Sequence, residues 1–396
     1  MRDSVNNMKK KVLNIICLIS FVILVIVLSM FLWIKLKPVI NSEYPAFNHN
    51  IADTCTPAST ENNSQNASKN EQNPTNTSTD SEKDGSFEMF FGGDVMLDNS
   101  DILTRYDNKG IKGILSSFLL NEMLSADMTV INQEFPFSTR GTPMEDKQFT
   151  FRVNPSYVNI FKESGVDMAS LANNHALDYG TDALTDSFTT LDKAGIFYSG
   201  AGNSRERASK PYITKWNNKS IGVLSASRVI PVADWNIDSR SPGLLCTYDS
   251  TALVNSIKSA KKQCDFVAVY VHWGVEREDM PQEYQQELAK AYINAGADLV
   301  IGSHPHVPQG VEYYNGKPII YSLGNYIFNT NMESAYAVKC TLDDNLKSTI
   351  QLIPIYSQNA CTQEMSGNKK TDTLKYIESI SFSVKIDSDG YVVNNK

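Results

Sequence analysis

Four of the five histidines in this 396-residue chain fall within three short segments, LANNHALDYG (Leu171–Gly180), YVHWGVE (Tyr270–Glu276) and IGSHPHVPQG (Ile301–Gly310). Two further segments, FGGDVML (Phe91–Leu97) and INQEF (Ile131–Phe135), each contribute a carboxylate. All five lie where an apolar, strand-like run gives way to a Gly- or Asn-containing loop. Proteins build divalent-metal sites in this way, from neutral imidazoles, carboxylates and amide carbonyls held on loops over a rigid sheet. The side chains that this chemistry singles out are Asp94, Glu134, Asn174, His175, His272, His304 and His306.

Each has a plainer alternative. His304 and His306 flank a proline, which stiffens the pair; in an extended loop, alternate residues project to one side, toward one metal or two adjacent ones. The same pair also reads as structural. His272 reads as a hydrogen-bonded core histidine, Asn174-His175 as a turn and helix cap, and Asp94 after Gly92-Gly93 as a turn. Glu134 stands three residues after Ile131 at the end of an apolar run, and a carboxylate so placed needs a partner. Five strand ends in one region, each delivering a ligand type, favour the metal reading over five separate accidents.

The elements that must position these residues alternate. Phe87–Phe91 and Met128–Asn132 read as short strands, ending at Asp94 and Glu134. Val166–Leu171 reads as a buried strand that leads into Asn173-Asn174-His175. Leu184, Phe188 and Leu191 recur on one face of a helix that Gly195 stops. Ser220–Ser225 and Phe266–Val271 are further strands, the second delivering His272. Gln282–Asn294 reads as a helix with Tyr284, Leu288, Ala291 and Tyr292 on its apolar face and Gly296 just past its end. Leu299–Ile301 leads to His304 and His306, and Lys317–Ser322 to Asn325. From Ala335 the period becomes that of strands, clearest over Ser348–Pro354 and Ile377–Ile386. Repeated strand-then-helix implies an α/β fold, with ligands at the carboxyl ends of the strands. The β-rich tail adds a second sheet, hence a layered sandwich.

Composition divides the chain. Val12–Ile34 is a 23-residue uncharged apolar run, about 34 Å long as a helix and enough to span a bilayer. Arg2, Lys9, Lys10 and Lys11 precede it, against Lys35 and Lys37 after it, so the N-terminus is expected in the cytoplasm and the rest outside. A cleaved secretory signal is the alternative; the length of the run and the lack of an A-x-A-like site argue against it. Between Ala52 and Ser86 there is no Val, Ile, Leu, Met, Phe, Tyr or Trp, so this stretch reads as a disordered extracellular linker. The expected organisation is a cytoplasmic tail (1–11), a transmembrane helix (12–34), a flexible linker (35–86), the site-bearing domain (87–330) and a β-rich part (331–396) completing the second sheet. Of six cysteines, Cys246, Cys264, Cys340 and Cys361 fall in the folded region, and none forms a C-x-x-C pair that would hold zinc. A Cys340–Cys361 bridge is compatible with an extracellular site but cannot be deduced from spacing. A formal net charge of −8 argues against nucleic acid as a partner.

From Phe87 to Phe328 the motifs GGDVML, NQE, TFRVNP, SLANNHALDYG, SGAGN, VHWGVE, GSHPHV and YSLGNYIF follow one another. In that order they resemble the bacterial capsule-synthesis CapA family, a branch of the calcineurin-like metallophosphoesterase superfamily. The resemblance implies a four-layer αββα sandwich of two stacked mixed sheets between helices. It implies one or two divalent metal ions, with Mn, Zn and Fe all compatible. Asp94 and His306 then correspond to ligands of the first metal, Asn174, His272 and His304 to ligands of the second, and Glu134 to the bridging carboxylate. His175 corresponds to the histidine that protonates the leaving group or stabilises the transition state, with Asp178 orienting it. Arg152, within TFRVNP, is expected either to bind an anionic group of the substrate or to form a surface salt bridge. The pattern departs from the superfamily at Met96, where Asp-x-His would place an imidazole on the first metal. The implied function is a membrane-anchored protein that makes or exports capsular poly-γ-glutamate, as a metal-dependent hydrolase or transferase working with other membrane capsule-synthesis subunits. The alternative is a non-catalytic scaffold or polymer-binding subunit of the export complex.

Overall fold

Along β1 (Phe87–Val95) the side chains alternate between two apolar surroundings, Phe87, Met89 and Phe91 on one side and Phe90 and Val95 on the other. A strand buried on both faces lies in the middle of a layered domain. The computed structural model describes residues 85–395. The span expected over 12–34 and nearly all of the linker expected over 35–86 lie outside them. Among the described residues no helix is long and apolar enough to cross a membrane.

After β1 come α1 (Ser100–Lys109), α2 (Ser117–Ser125), β2 (Met128–Gln133), α3 (Val158–Glu163), β3 (Met168–Ser170), α4 (Gly180–Ala194) and β4 (Phe197–Ser199). The next stretch carries β5 (Tyr212–Trp216), β6 (Lys219–Ser227), α5 (Thr251–Lys261), β7 (Phe266–His272), α6 (Glu283–Ala295), β8 (Leu299–Ser303), β9 (Val311–Tyr314) and β10 (Lys317–Ile320). The chain then adds β11 (Asn325–Ile327), β12 (Met332–Leu342), β13 (Ser348–Gln358), β14 (Cys361–Glu364), α7 (Gly367–Ser379), β15 (Val384–Ile386) and β16 (Val392–Asn394). Helix α4 shows why the local reading works: Leu184, Phe188 and Leu191 are buried, and left-handed Gly195 ends the helix. Each of those three apolar side chains contributes about 1.5–3 kcal/mol by leaving water.

Two mixed sheets result. The first has the order β14-β13-β12-β1-β2-β3-β4, with β11 also paired to β1, and the second the order β9-β10-β8-β7-β6-β5. Strands β1 to β4 run parallel, as do β6, β7, β8 and β10, while β12 to β14, β5 and β9 are antiparallel additions. Phe87, Met89, Phe91, Met128 and Val130 of the first sheet pack on Ile221, Val223, Phe266, Tyr270 and Ile301 of the second. The outer face of the first sheet is covered by α2, α3 and α4, through Leu119, Phe161 and Phe188, and that of the second by α5 and α6, through Ile257 and Tyr292. The α/β architecture with multiple sheets thus emerges from three apolar layers.

Several expectations are corrected. The tail does not complete the second sheet: β12 pairs antiparallel with β1, so β12–β14 extend the first. The strand expected over Ile377–Ile386 is the end of α7, whose Leu374 and Ile377 are buried at helical spacing, followed by the short β15. The buried face of α6 is Gln285, Ala289, Tyr292 and Ile293; Tyr284 and Leu288 lie at its margin, because the Gln285 amide is drawn inward to donate to Gln309 (2.9 Å). Cys340 is a buried free thiol, so the Cys340–Cys361 bridge is not formed; Cys246 and Cys264 are likewise buried and free.

Candidate metal centre

The carboxyl ends of β1, β2, β3, β7 and β8 converge where the two sheets meet. Close approach of the chain there depends on Gly93: a side chain on it would lie 1.9 Å from the carbonyl oxygen of Gly324. Asp94, one residue before the end of β1, and Glu134, immediately after β2, are both fully buried. Asn132 on β2 stands between them, its Nδ2 2.8 Å from Asp94 Oδ1 and 2.9 Å from Glu134 Oε1. From the second sheet His272 brings Nδ1 to 3.5 Å from Glu134 Oε1, and Nε2 to 2.9 Å from Asn174 Oδ1. The His304 backbone N–H donates to Asp94 Oδ2 (3.1 Å), and His306 Nδ1 lies 3.5 Å from the same oxygen. Ring centroids of His272 and His304 are 4.6 Å apart, and those of His304 and His306 5.9 Å.

The His-Pro-His pair is not an extended loop with alternating projection. His304 and His306 both adopt left-handed backbone, with φ of 98° and 59°. Such conformations cost energy in non-glycine residues and persist where surrounding structure imposes them. A tight bend, not strand alternation, points both imidazoles inward.

Two adjoining triads of ligand atoms form, Asp94–Glu134–His272 and Glu276–His304–His306, each within 4.8 Å. Their protonation states suit a cation. Burial holds His272 well below the usual imidazole range, reinforced by His304, and burial likewise takes His304 down to about 3. Both are therefore neutral, the form that ligates metals. Burial, with Asp94 beside it, pushes the Glu134 carboxyl well above its ordinary value. Two acids so close, with neutral imidazoles around them, call for positive charge. Among the described residues, Glu134 Oε2 and His304 Nδ1 are buried with no hydrogen-bond partner. Buried polar atoms are rarely left unpaired, and both belong to residues of the two triads. The donor set fits a divalent cation.

Beside the triads lies a second group. His175 Nδ1 is 2.7 Å from Asp178 Oδ2 across a turn, and the Phe151 ring packs at 4.5 Å from the imidazole. The Lys147 ammonium donates to Asp178 Oδ1 and to the Asn174 carbonyl, and the Phe151 backbone N–H donates to Asp178 Oδ2 (2.8 Å). Burial lowers the pKa of His175 against the pull of Asp178. Burial also lowers that of Lys147, again opposed by Asp178.

The geometry thus gathers Asp94, Glu134, Asn174, His175, Asp178, His272, His304 and His306. The Arg152 guanidinium stacks on Tyr179 at 4.2 Å and donates to the carbonyls of Arg140 (2.9 Å) and Gly141 (3.2 Å). Arg152 does not form, among the described residues, the salt bridge that was its alternative. Met96, at the position of departure, is buried, its backbone N–H donating to the Ile327 carbonyl. Sequence reasoning missed Asn132, Lys147 and Glu276. Asn132 and Glu276 stand within the motifs singled out, and their position at strand ends was the signal that could have found them. Lys147 lies in a loop with none.

The family follows. The sequence model of the bacterial capsule synthesis protein PGA_cap family matches residues 88–330, and the chain belongs to that family. It is similar to the PGA biosynthesis protein CapA of Bacillus subtilis (strain 168), with 31% identity over 309 residues, 75% of this chain and 79% of that one. It is also similar to the capsule biosynthesis protein CapA of Bacillus anthracis, with 30% identity over 290 residues, 70% and 69% of the two chains. Among solved structures, a hypothetical protein from Thermus thermophilus is similar at a TM-score of 0.42 and 14% identity, covering 68% of this chain and 100% of that one.

Proposed function

We propose that this chain is a metal-dependent hydrolase or transferase acting on a cell-surface anionic polymer in poly-γ-glutamate capsule synthesis or export. The observation that carries the reading is the buried convergence of Asp94, Glu134, His272, His304 and His306 around two unpartnered atoms, Glu134 Oε2 and His304 Nδ1. The names of the Bacillus relatives supply the pathway. We assign Asp94 and His306 to a first divalent ion, Asn174, His272 and His304 to a second, and Glu134 to both, within a four-layer, metallophosphoesterase-like sandwich. Mn, Zn or Fe suits such nitrogen and oxygen donors. When bound, the ions supply Lewis acidity and a water of lowered pKa.

The protein's own side chains do the rest. Asp178 accepts from Lys147 and Phe151 N–H and holds the His175 ring through Nδ1. In the imidazolium form, which Asp178 favours against burial, His175 would offer its Nε2–H to the leaving group and return to the neutral ring with Nδ1–H on Asp178. Phe151 on the imidazole face limits water around it. We extend the proposal to localisation: the apolar run Val12–Ile34 anchors the protein, with the described domain outside the cell and further membrane subunits of the capsule machinery beside it.

A second reading, a non-catalytic scaffold or polymer-binding subunit, is favoured by one observation, the buried thioether of Met96 where an imidazole would complete the first metal. Metal analysis of the purified full chain decides whether the centre exists: one or two equivalents of transition metal are expected, and a chain that carries none and takes up none sinks the enzyme reading. His175→Ala in the capsule-producing cell then separates the two roles. Capsule lost with metal retained supports catalysis; capsule unchanged supports the scaffold.

A further inference from the structure

The described residues include eight arginines, and six of their guanidinium groups have protein acceptors. Arg140, Arg205 and Arg240 pair with Asp186, Asp238 and Asp234, while Arg105, Arg152 and Arg207 donate to backbone carbonyls. Arg228 and Arg277 have no acceptor on the guanidinium among the described residues. Carboxylates are not scarce: the chain has 44 acidic against 36 basic residues, and Glu276, Glu278 and Asp279 adjoin Arg277. Asp279 accepts from Tyr376 Oη (2.5 Å) instead.

Both arginines are tied by their backbones to the histidine-bearing segments. Arg228 follows β6 directly, and its N–H donates to the His272 carbonyl (2.7 Å). Arg277 sits in left-handed backbone (φ 64°), and its N–H donates to the carbonyl of Pro305, between His304 and His306. The Arg228 guanidinium lies 3.7 Å from the Tyr248 ring centroid and 5.1 Å from that of Tyr284. Tyr284 is itself fixed, since its hydroxyl accepts from the Gly274 N–H (2.8 Å). Stacking against aromatic faces orients a guanidinium while leaving its edge N–H groups open, the arrangement that meets a carboxylate in bidentate fashion.

We propose that Arg228 and Arg277 form an anion-binding rim beside the metal centre that grips carboxylates of the polymer substrate. The proposal rests on the function proposed above for its choice of polymer. γ-Linked glutamate leaves one free carboxylate on every residue, so a chain approaching the metal centre presents anions repeatedly. Arg228, preordered by its tyrosines, positions one such group; exposed Arg277 takes a neighbouring one.

The test uses the full chain loaded with Mn²⁺ and measures binding of poly-γ-glutamate and, separately, of polyphosphate. Losing a charge-assisted hydrogen bond weakens affinity about tenfold. Arg228→Gln/Arg277→Gln is therefore expected to weaken poly-γ-glutamate binding tenfold or more with metal content unchanged. Arg228→Lys, which keeps the charge but not the fork, should lose less, and Arg205→Gln nothing. Binding within twofold of wild type in the double variant overturns the proposal, as does wild-type preference for polyphosphate. Loss of metal together with polymer would mark the arginines as structural and also overturn it. Arginine-dependent polymer binding by a chain that takes up no metal would sustain the rim while removing the enzyme reading.

Discussion

The two ends of the parallel strands handle their carboxylates in opposite ways, half-exposed or exposed at one end save for Asp298 and fully buried at the other. At the amino ends, Asp127, Asp167, Asp265 and Asp298 each stand one residue before a strand, β2, β3, β7 and β8. Each accepts from a backbone N–H of the neighbouring strand, at Glu88, Thr129, Ser220 and Val267, over 2.8–3.0 Å. Each also returns its own N–H to the same residue's carbonyl. Asp298 takes two ammonium groups as well, Lys261 and Lys317 at 2.7 Å. At the carboxyl ends, Asp94 and Glu134 face each other and neutral imidazoles, share one amide, and leave an oxygen and a nitrogen unpartnered. At one edge each carboxylate is met by the protein's own donors. The other leaves a deficit of positive charge for something else to fill. At the open edge His304 and His306 also hold left-handed backbone.

The contrast can be broken most sharply by His304→Ala/His306→Ala. The full chain should keep its circular dichroism spectrum and lose its bound transition metal; full retention of metal would end the comparison. His175→Ala should keep the metal yet lower turnover about 10²–10⁴-fold, the range for a missing general acid, as read by polymer cleavage or transfer once the bond is identified. Asp298→Ala tests the closed edge. It should lower unfolding free energy by about 1–3 kcal/mol, from the Val267 N–H left unpaired, with metal per folded chain unchanged in denaturant titrations. A loss of metal there would mean that the edges are not separate in function.

A further effect is in pH. His304 has its folded pKa depressed to about 3, below an unfolded value near 6.5. Its contribution is whole above pH 6.5 and is lost as pH falls toward 3, because the unfolded chain then binds the extra proton. Glu134 runs the other way, its raised pKa favouring the metal-free fold at low pH and losing that contribution as pH rises. The stability difference between metal-free wild type and His304→Ala isolates the imidazole, and should change by about 1.4 kcal/mol per pH unit within that window. A flat difference would mean that His304 is open to solvent.

Legibility tracked the range of the interactions. Strand ends at Asp94, Glu134 and His272, and α4 with its Gly195 stop, were readable because period and punctuation are local. The strand reading of Ile377–Ile386 failed because Leu374 and Ile377 show their spacing only once α7 has something to pack on. The acceptors of Arg152, the carbonyls of Arg140 and Gly141, come from a loop fold that no pattern announces. Lys147 was invisible for the same reason.

Residue order alone settled that acids, an amide and imidazoles end consecutive strands of an α/β chain. It also carried the family motifs. Tertiary structure decided that the carboxyl edges of two sheets face each other, so that Asp94 meets a backbone N–H 210 residues away, and which amide and lysine join them. Sheet order and register are set by burial summed over many strands, and no stretch of sequence short enough to read by its period contains that sum.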